Sequence, residues 1–307
     1  MNLLITGGCG FIGLNLIDYL RRESKHRIVV LDNLIVGKRE YLNEFDVCFF
    51  EGDIRDANMV KEILRDENIE GIIHLAADTR VVDSIENPDF NFDVNVNGTY
   101  SLLRVARSEK VERFVFASTG GAIIGETTPP VHEEMVPRPI SPYGASKLCG
   151  EAYCSALAGS YGMKTVALRF SNVYGPRSFH KGSVVAQFFK KIVAREDLVV
   201  YGNGEQTRDF VYVEDLCSAI SASLHLEEGG KVFQLGTGIE TSINTLVERI
   251  KECVGGNYKV RVLSMPPRQG EILKNFCSIS RARKDLGYFP KVDLKEGLER
   301  TWKWFKG

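Results

Sequence analysis

Short runs of apolar, largely β-branched residues recur along the chain up to residue 175, with longer stretches of helical periodicity between them. Continuous apolar runs are typical of strands buried on both faces of a sheet, and their alternation with helices indicates parallel βαβ units. The pattern therefore predicts a doubly wound α/β fold with a parallel sheet. The predicted strands span 2–6, 27–32, 47–53, 71–77, 113–118 and 165–170.

The pattern changes after Gly175, where residues 176–182 are polar and rich in turn formers. A helix is predicted over 184–195, and the run YGNGEQTRDF at 201–210 interrupts the pattern again. Residues 231–236 are typical of a strand that returns to the sheet. We therefore predict two domains, the second smaller and discontinuous. The first comprises 1–175 and about 211–236, and the second comprises 176–210 and 237–307.

Composition and charge exclude several classes of protein. The 307 residues include 39 basic and 40 acidic side chains, interspersed along the chain, so nothing favours a nucleic acid partner. The seven cysteines form no CxxC pair and the five histidines no HxxxH pair, which argues against a disulfide scaffold and a zinc site. No apolar run is long enough to span a bilayer, and the start of the chain has no basic leader. We expect a cytoplasmic protein without a metal.

The run TGGCGFIG at 6–13 follows the first predicted strand and opens a helix. Glycines in this turn let the backbone approach a pyrophosphate, which the helix N-terminus then faces. Asp32 ends the second strand, where a carboxylate would accept hydrogen bonds from the adenosine ribose and repel a 2′-phosphate. These features predict a Rossmann-type domain that binds NAD rather than NADP.

The run SPYGASK at 141–147 places Tyr143 and Lys147 four residues apart, on one face of a predicted helix. A tyrosine beside a fixed cation can become a base, although such a pair can also simply decorate a solvated face. The end of the fifth strand, Ala117 to Thr119, should lie near the nicotinamide of a bound dinucleotide. The pair is therefore a candidate catalytic constellation.

A strand-end hydroxyl, the YxxxK spacing and the TGxxGxxG turn, in this order, resemble the extended short-chain dehydrogenase/reductase family, in particular its nucleotide-sugar epimerases and dehydratases. The resemblance covers nearly the whole chain. Its further motifs are HLAA (74–77), NVNGT (95–99), LRFSNVYGPR (168–177), YGNGEQTRDFVYVEDL (201–216) and PPRQGE (266–271).

The resemblance implies catalytic roles for Tyr143, Lys147 and Thr119. The Tyr143 phenolate would take the proton of a sugar 4-hydroxyl while the C4 hydride passes to NAD, leaving a 4-keto sugar. Lys147 would also bond the nicotinamide ribose, and Thr119 would bond the sugar oxygen and Tyr143, with Ser118 as the alternative to Thr119. A tyrosine pKa of about 10 would have to fall by roughly three units for this chemistry.

The predicted cofactor-binding residues lie at the ends of the strands and in the glycine turn. Asp53 and Ile54 are candidates for contact with adenine, with a surface turn as the alternative, and Asn95 is placed near the phosphates and nicotinamide. The full set is Gly7, Gly10, Phe11, Ile12, Gly13, Asp32, Asn33, Asp53, Ile54, Leu75, Ala76, Ala77, Asn95, Ser118, Tyr143 and Lys147.

The residues after Thr119 indicate the reaction. Dehydratases of the family carry an acidic pair directly after this hydroxyl, whereas here Gly120, Gly121 and Ala122 follow, with no acid before Glu126. The resemblance therefore implies 4-epimerisation of a nucleoside-diphosphate sugar. A 4,6-dehydratase, a decarboxylase and a non-catalytic NAD-binding sensor or scaffold remain alternatives. Ile124 departs from the family, which commonly has Tyr at this position.

The substrate residues are also implied by the resemblance. Asn172 would contact the diphosphate or the sugar, Arg208 and Arg268 the diphosphate, and Glu271 the nucleotide ribose. Thr119 completes this set, and Asn275 falls where the family limits the size of the C2 substituent. A UDP-hexose is favoured only because such substrates are common in the family.

A homodimer is expected because relatives pair two helices from each subunit, here about 92–108 and 142–161. The apolar residues on these helices could face both the core and a partner. They are Leu102, Leu103, Val105, Leu148, Tyr153 and Leu157.

Overall fold

The computed structural model describes residues 1–23, 25–256, 258–267 and 272–307. Seven of its strands form one parallel sheet: β1 (Asn2–Thr6), β2 (Arg27–Asp32), β3 (Cys48–Glu51), β4 (Gly71–His74), β5 (Arg113–Thr119), β6 (Lys164–Phe170) and β11 (Lys231–Leu235). The other strands pair two by two: β7 (Asn172–Tyr174) with β10 (Phe210–Tyr212), β8 (Leu198–Tyr201) with β13 (Val262–Met265), and β9 (Thr207–Arg208) with β12 (Thr241–Ser242).

The helices alternate with the strands of the sheet and then form the second region. They are α1 (Phe11–Glu23), α2 (Ala57–Asp66), α3 (Val81–Glu86), α4 (Pro88–Phe92), α5 (Thr99–Ser108), α6 (Gly120–Ile124), α7 (Pro142–Tyr161), α8 (Val184–Val193), α9 (Val213–Ser223), α10 (Ile243–Val254), α11 (Ser280–Leu286) and α12 (Leu294–Phe305). A 3₁₀ turn spans Arg39–Leu42, and a π-helical segment spans Asp93–Gly98. No described helix is long and apolar enough to cross a bilayer.

The order of the large sheet is β11-β6-β5-β4-β1-β2-β3, and every neighbouring pair is parallel. The chain moves outward from β1 in one direction and from β4 in the other, so the two crossover directions diverge between these two strands. Ligands bind at such a switch point, beyond the carboxyl ends of the strands. The predicted doubly wound parallel sheet is confirmed, including the return of β11 to its edge.

Two predicted strands end two or three residues earlier in the structure than their sequence pattern indicates. The third ends at Glu51 rather than 53, and the fourth ends at His74 rather than 77. Asp53 therefore lies in the turn after β3, where its carboxylate accepts hydrogen bonds from Arg55. Leu75, Ala76 and Ala77 form the loop after β4.

The sheet separates two hydrophobic cores. Helices α1 and α9 cover one face, with Leu16, Ile17 and Ile220 fully buried. Helices α2, α5 and α7 cover the other face, where Val60, Leu102 and other apolar side chains pack on the strands. Complete coverage of both faces explains the apolar runs along the strands.

The helices expected to pair subunits require a correction. Leu102, Leu103, Val105 and Leu157 are buried in the core of the chain itself, so these four side chains are not available to a partner. Leu148 is half-buried against the other core. Of the six residues predicted, only Tyr153 is exposed.

A third core holds the second region together. Phe189 stacks on Trp302 with ring centroids 5.4 Å apart, and α8, α10 and α12 contribute most of the buried side chains. In contrast, Ile279 and Ala282, at the start of α11, pack into the core on the α1 and α9 face of the sheet. We propose that the two domains have the boundaries predicted from the sequence, with α11 as the element that joins them.

Candidate active site

The glycine turn between β1 and α1 leaves the N-terminus of α1 uncovered by side chains. Gly7 has a φ of +72°, and its N–H donates to the Leu31 carbonyl at 2.9 Å. A Cβ at Gly7 would lie 2.7 Å from the Ala76 nitrogen, so only glycine lets the loop after β4 approach this closely. Phe11 and Ile12 then begin the helix, and Gly13 packs against the turn itself. This backbone fits a dinucleotide pyrophosphate.

Asp32 is held at the end of β2 by two backbone donors. Its Oδ2 accepts from the Cys9 N–H and its Oδ1 from the Leu34 N–H, each at 2.9 Å. Burial raises the pKa of this carboxyl, and both hydrogen bonds act in the opposite direction. Each oxygen keeps lone pairs for further donors, which fits two ribose hydroxyls.

The residues predicted to contact adenine occupy different environments. Asn33 Nδ2 donates to Asp53 Oδ2 at 3.0 Å. Arg55 is the main reason that the pKa of Asp53 is lowered to about 2. Ile54 is buried in the core. The Asn33 and Asp53 side chains thus form a fixed polar edge next to Asp32, which the sequence order alone anticipates.

Tyr143, Lys147 and Thr119 come together at the carboxyl end of β5. Ser141 caps α7 by accepting from the Gly144 N–H, so the helix begins directly before Tyr143. Tyr143 lies next to Thr119, and the interaction of their side chains favours the ionised form of the tyrosine. Lys147 Nζ donates to the Ala117 carbonyl at 2.9 Å and lies 4.9 Å from the Phe116 ring centroid. Tyr143 and Lys147 share α7 one turn apart, as their spacing in the sequence indicates, and their catalytic roles stay a prediction.

The electrostatics of this pair differ from the simple expectation. Burial raises the pKa of Tyr143 to about 12, Asp78 adds to the rise, and the interaction with the Thr119 side chain opposes it. Burial lowers the pKa of Lys147 to about 8, although Asp78 and Glu151 favour its charged form. Within the described residues, the net effect on Tyr143 is to hold its proton rather than release it.

Asn95 lies in the π-helical segment, which interrupts the single helix predicted over 92–108. Its Oδ1 accepts from the Asp78 N–H, and its Nδ2 donates to the Asp78 carbonyl and to Ser146 Oγ. Asn95 therefore connects the loop after β4 to α7, with Ser146 adjacent to Lys147. Single π turns inside helices are frequently found at functional sites.

Ser118 does not share the position of Thr119. Its Oγ donates to Glu151 Oε1 at 2.6 Å, beneath α7, and the residue is buried. Of the two strand-end hydroxyls, Thr119 is therefore the one beside Tyr143. Sequence reasoning missed Glu151 and Asp78, yet the spacing from Tyr143 through Lys147 to Glu151, in steps of four, could have indicated Glu151.

Two of the predicted substrate residues lie on separate short strands, Asn172 on β7 and Arg208 on β9. Asn172 begins β7, and its N–H donates to the Asp209 carbonyl at 2.9 Å. Arg208 Nη1 donates to the carbonyls of Thr207 and Ile272, which fixes the guanidinium against the backbone. Arg268 and Glu271 lie outside the described residues.

Two side chains pack closely against the first residues of α6, directly after Thr119. A Cβ at Gly120 would lie 2.4 Å from Gln234 Oε1, and one at Gly121 would lie 2.1 Å from Asn275 Nδ2. Ile124, where the family commonly has Tyr, is buried in the core. The two positions after the hydroxyl therefore accept only glycine unless their neighbours move.

Comparison with known proteins assigns the family. The model of the NAD dependent epimerase/dehydratase family matches residues 3–236. The chain belongs to this family. The resemblance seen in the motifs and the implied cofactor, NAD, are thereby confirmed.

Three similar proteins align over almost their full length. A putative UDP-glucose 4-epimerase of Methanocaldococcus jannaschii is 38% identical, over 99% of this chain and 98% of the relative. The crystal structure of UDP-glucose 4-epimerase from Thermotoga maritima with UDP-glucose has a TM-score of 0.94, 38% identity, and 100% and 99% coverage of the two chains. That of the Thermus thermophilus enzyme with NAD has a TM-score of 0.92, 36% identity and the same coverage.

Proposed function

We propose that the protein is an NAD-dependent 4-epimerase of a nucleoside-diphosphate sugar, with a UDP-hexose as its substrate. The observation that carries the proposal is the proximity of Tyr143 to Thr119, with Lys147 one helical turn away, at the carboxyl end of β5. These groups lie where a dinucleotide held by the glycine turn and Asp32 would place its nicotinamide.

Bound NAD supplies an acceptor and donor of hydride at the sugar C4 and, in its oxidised form, a positive charge. Tyr143 Oη takes the proton of the sugar 4-hydroxyl and later returns it. The Thr119 hydroxyl orients this oxygen and bonds the sugar oxygen. Lys147 holds a positive charge near Tyr143 and favours its phenolate form.

The described residues alone do not generate that phenolate. Because burial raises the pKa of Tyr143 to about 12, operation near neutral pH requires a fall of roughly five units, or about 7 kcal/mol. The Lys147 ammonium, with a pKa of about 8, remains charged at neutral pH, and we propose that it provides part of this fall when the site is loaded. Proton abstraction is therefore coupled to the positive charge that the oxidised cofactor brings.

The glycine pair after Thr119 favours epimerisation over dehydration. Removal of a 6-hydroxyl needs an acid close to the sugar, and the two positions after Thr119, Gly120 and Gly121, carry no side chain that could serve. Glu126, the next acid along the chain, is exposed. The chemistry left to this site is oxidation and re-reduction at C4.

We assign the substrate diphosphate to the side of the site formed by Asn172 and Arg208. A guanidinium with fixed geometry suits a diphosphate, because it can donate two hydrogen bonds in parallel. Arg268 and Glu271 are proposed to bind the diphosphate and the nucleotide ribose. Uridine is supported by the Thermotoga maritima structure, which was determined with UDP-glucose.

We also propose a homodimer and a cytoplasmic location. Tyr100 and Tyr153, on α5 and α7, are both exposed, with ring centroids 4.8 Å apart, and Phe92, at the end of α4, is exposed as well. These three aromatic residues are the proposed contact surface. All seven cysteines are free, which fits a reducing compartment.

The function is tested by incubating the purified protein with a panel of UDP-, dTDP-, GDP- and CDP-sugars and reading the products by NMR. A 4-epimer from a UDP-hexose is expected, and product formed in D₂O should carry no deuterium at C4. A 4-keto-6-deoxy sugar would identify a dehydratase. Tight NAD binding without turnover of any sugar would identify a binding protein.

A further inference from the structure

Glu151 lies on α7 one turn after Lys147, so that Tyr143, Lys147 and Glu151 share one face of the helix. Its carboxylate is 5% exposed and accepts three hydrogen bonds. Ser118 Oγ donates at 2.6 Å, Arg169 Nε at 2.9 Å and Arg169 Nη2 at 2.7 Å. Glu151 and Arg169 thus form a buried ion pair next to the residues of α7 that are proposed to be catalytic.

The three donors attach the helix to two neighbouring strands at once. Ser118 on β5 and Arg169 on β6 are paired in the register of the sheet, so both side chains point to the α7 face. Ser118 also separates Ala117, whose carbonyl accepts from Lys147, and Thr119, which lies next to Tyr143. Glu151 therefore fixes α7 against the strand end that carries the proposed catalytic groups.

This arrangement is not explained by stability alone. Arg169 Nη1 is buried without a hydrogen-bond partner in the described part of the chain, and so are both polar side-chain atoms of Gln234, which pairs with Arg169 across β6 and β11. Well-packed apolar residues often replace a buried ion pair at no loss of stability. A buried charge with unsatisfied neighbours therefore indicates a role for the charge itself.

We propose that Glu151 is a positioning residue for Lys147, keeping its ammonium charged and directed at the end of β5, while the hydrogen bonds from Arg169 hold the Glu151 carboxylate in place. The proposal rests on the proposed function, because it assigns Lys147 its catalytic role. It adds a residue that acts through Lys147 and touches neither sugar nor cofactor.

The charged groups around Lys147 determine whether its pKa rises or falls when Glu151 loses its charge. Asp78 and Glu151 favour the ammonium, whereas burial opposes it. His74, on β4, is buried with its pKa lowered to about 3, so it stays neutral over the working range. Without the Glu151 charge, Asp78 alone supports the ammonium and the guanidinium of Arg169 is left uncompensated. The pKa of Lys147 must then fall.

The decisive variant is Glu151→Gln, which removes the charge and keeps the size of the side chain. We expect kcat to fall about tenfold, as for one lost electrostatic contribution of about 1.4 kcal/mol, while the KM for the UDP-sugar stays within about twofold. The alkaline limb of the kcat profile should move to lower pH, because Lys147 loses its proton earlier. Glu151→Asp, which keeps the charge, should restore the alkaline limb.

A control separates this effect from general destabilisation. Asp215 is a buried carboxylate that accepts from the Lys291 and Val292 N–H groups, away from Lys147. Asp215→Asn should lower stability without moving the pH limb. If Glu151→Gln does not fold, Glu151→Leu combined with Arg169→Met replaces the pair by apolar residues and should show the same direction of shift.

A readout that needs no turnover is the titration of the Lys147 Nζ resonance in ¹⁵N-lysine-labelled holoenzyme, assigned by its loss in Lys147→Met. Its midpoint should lie at lower pH in Glu151→Gln. An unchanged midpoint and pH limb overturn the inference, even if kcat falls. If the wild type epimerises no sugar, the proposed function fails, and the midpoint still decides whether Glu151 supports the Lys147 charge.

Discussion

Lys147 Nζ donates a 2.9 Å hydrogen bond to the carbonyl of Ala117, two residues before Thr119 on the same strand. This bond connects the face of α7 that carries Tyr143 to the end of β5. It also keeps an ammonium in a place where only 4% of the residue is exposed. Burial of this ammonium, whose charge the proposed mechanism needs near Tyr143, therefore lowers the free energy of unfolding.

This lowering of the free energy of unfolding gives a prediction for stability. The pKa of Lys147 is about 8 in the folded chain, against about 10.4 when unfolded, a difference of about 3 kcal/mol. Between these pH values the unfolded chain binds more protons, so the free energy of unfolding rises with pH, and below pH 8 the full cost remains. Lys147→Met should therefore be more stable than wild type at pH 7, with a gain that shrinks towards pH 10.

This gain in the free energy of unfolding is measured by urea unfolding at pH 7 and pH 9.5. The wild type and Lys147→Met are compared after the dinucleotide has been removed from both. A variant that is less stable at pH 7, by the same amount at both pH values, would show that the ammonium stabilises the fold.

Asp32 predicts the choice of cofactor. With its two oxygens fixed by the Cys9 and Leu34 N–H groups, the carboxylate would repel a 2′-phosphate. Calorimetry should show tight binding of NAD and much weaker binding of NADP. Asp32→Asn should reduce the discrimination, because the repulsion is lost while the size is kept. Equal affinities in the wild type would remove Asp32 from this role.

The sequence predicts which residues of the site lie close together, and there is a physical reason for this. The glycine turn, Asp32 and Thr119 follow strands, and the carboxyl ends of parallel strands meet at one edge, so their order along the chain already places them together. Tyr143 and Lys147 are brought together by the period of a single helix. These relationships are local or topological and need no knowledge of packing.

Other features depend on packing between distant residues. The rise in the pKa of Tyr143 comes first from burial, which no spacing in the sequence displays. The pairing of Glu151 with Arg169 requires the register between β5 and β6. The buried sites of Leu102 and Leu157 could not be told from partner contacts, because apolar periodicity does not show which partner covers a face.

Assembly is predicted to depend on the exposed aromatic residues of α5 and α7. Tyr153→Asp should weaken a dimer, because it places a charge on the surface that also includes Tyr100 and Phe92. Sedimentation should show a dimer for the wild type at micromolar concentration and a larger fraction of monomer for the variant. Tyr161→Asp, at the exposed end of α7, is the matched control. A wild-type monomer would contradict the proposed homodimer.

Arg208 is expected to act on substrate binding rather than on chemistry. Its guanidinium is held by the carbonyls of Thr207 and Ile272, and lysine lacks the planar donor geometry that suits a diphosphate. Arg208→Lys should raise the KM for the UDP-sugar about tenfold and leave kcat within about twofold. Steady-state kinetics separate the two constants. A fall in kcat at unchanged KM would place Arg208 at the reacting end of the sugar.

In the proposed mechanism, Tyr143 Oη accepts the proton of the sugar 4-hydroxyl. The most direct test is kcat for Tyr143→Phe with the UDP-sugar that the wild type epimerises, measured by NMR after NAD affinity and folding have been shown to match the wild type. Because this change removes one hydroxyl and little volume, kcat should fall by about a thousandfold or more. A variant with wild-type kcat would contradict the account.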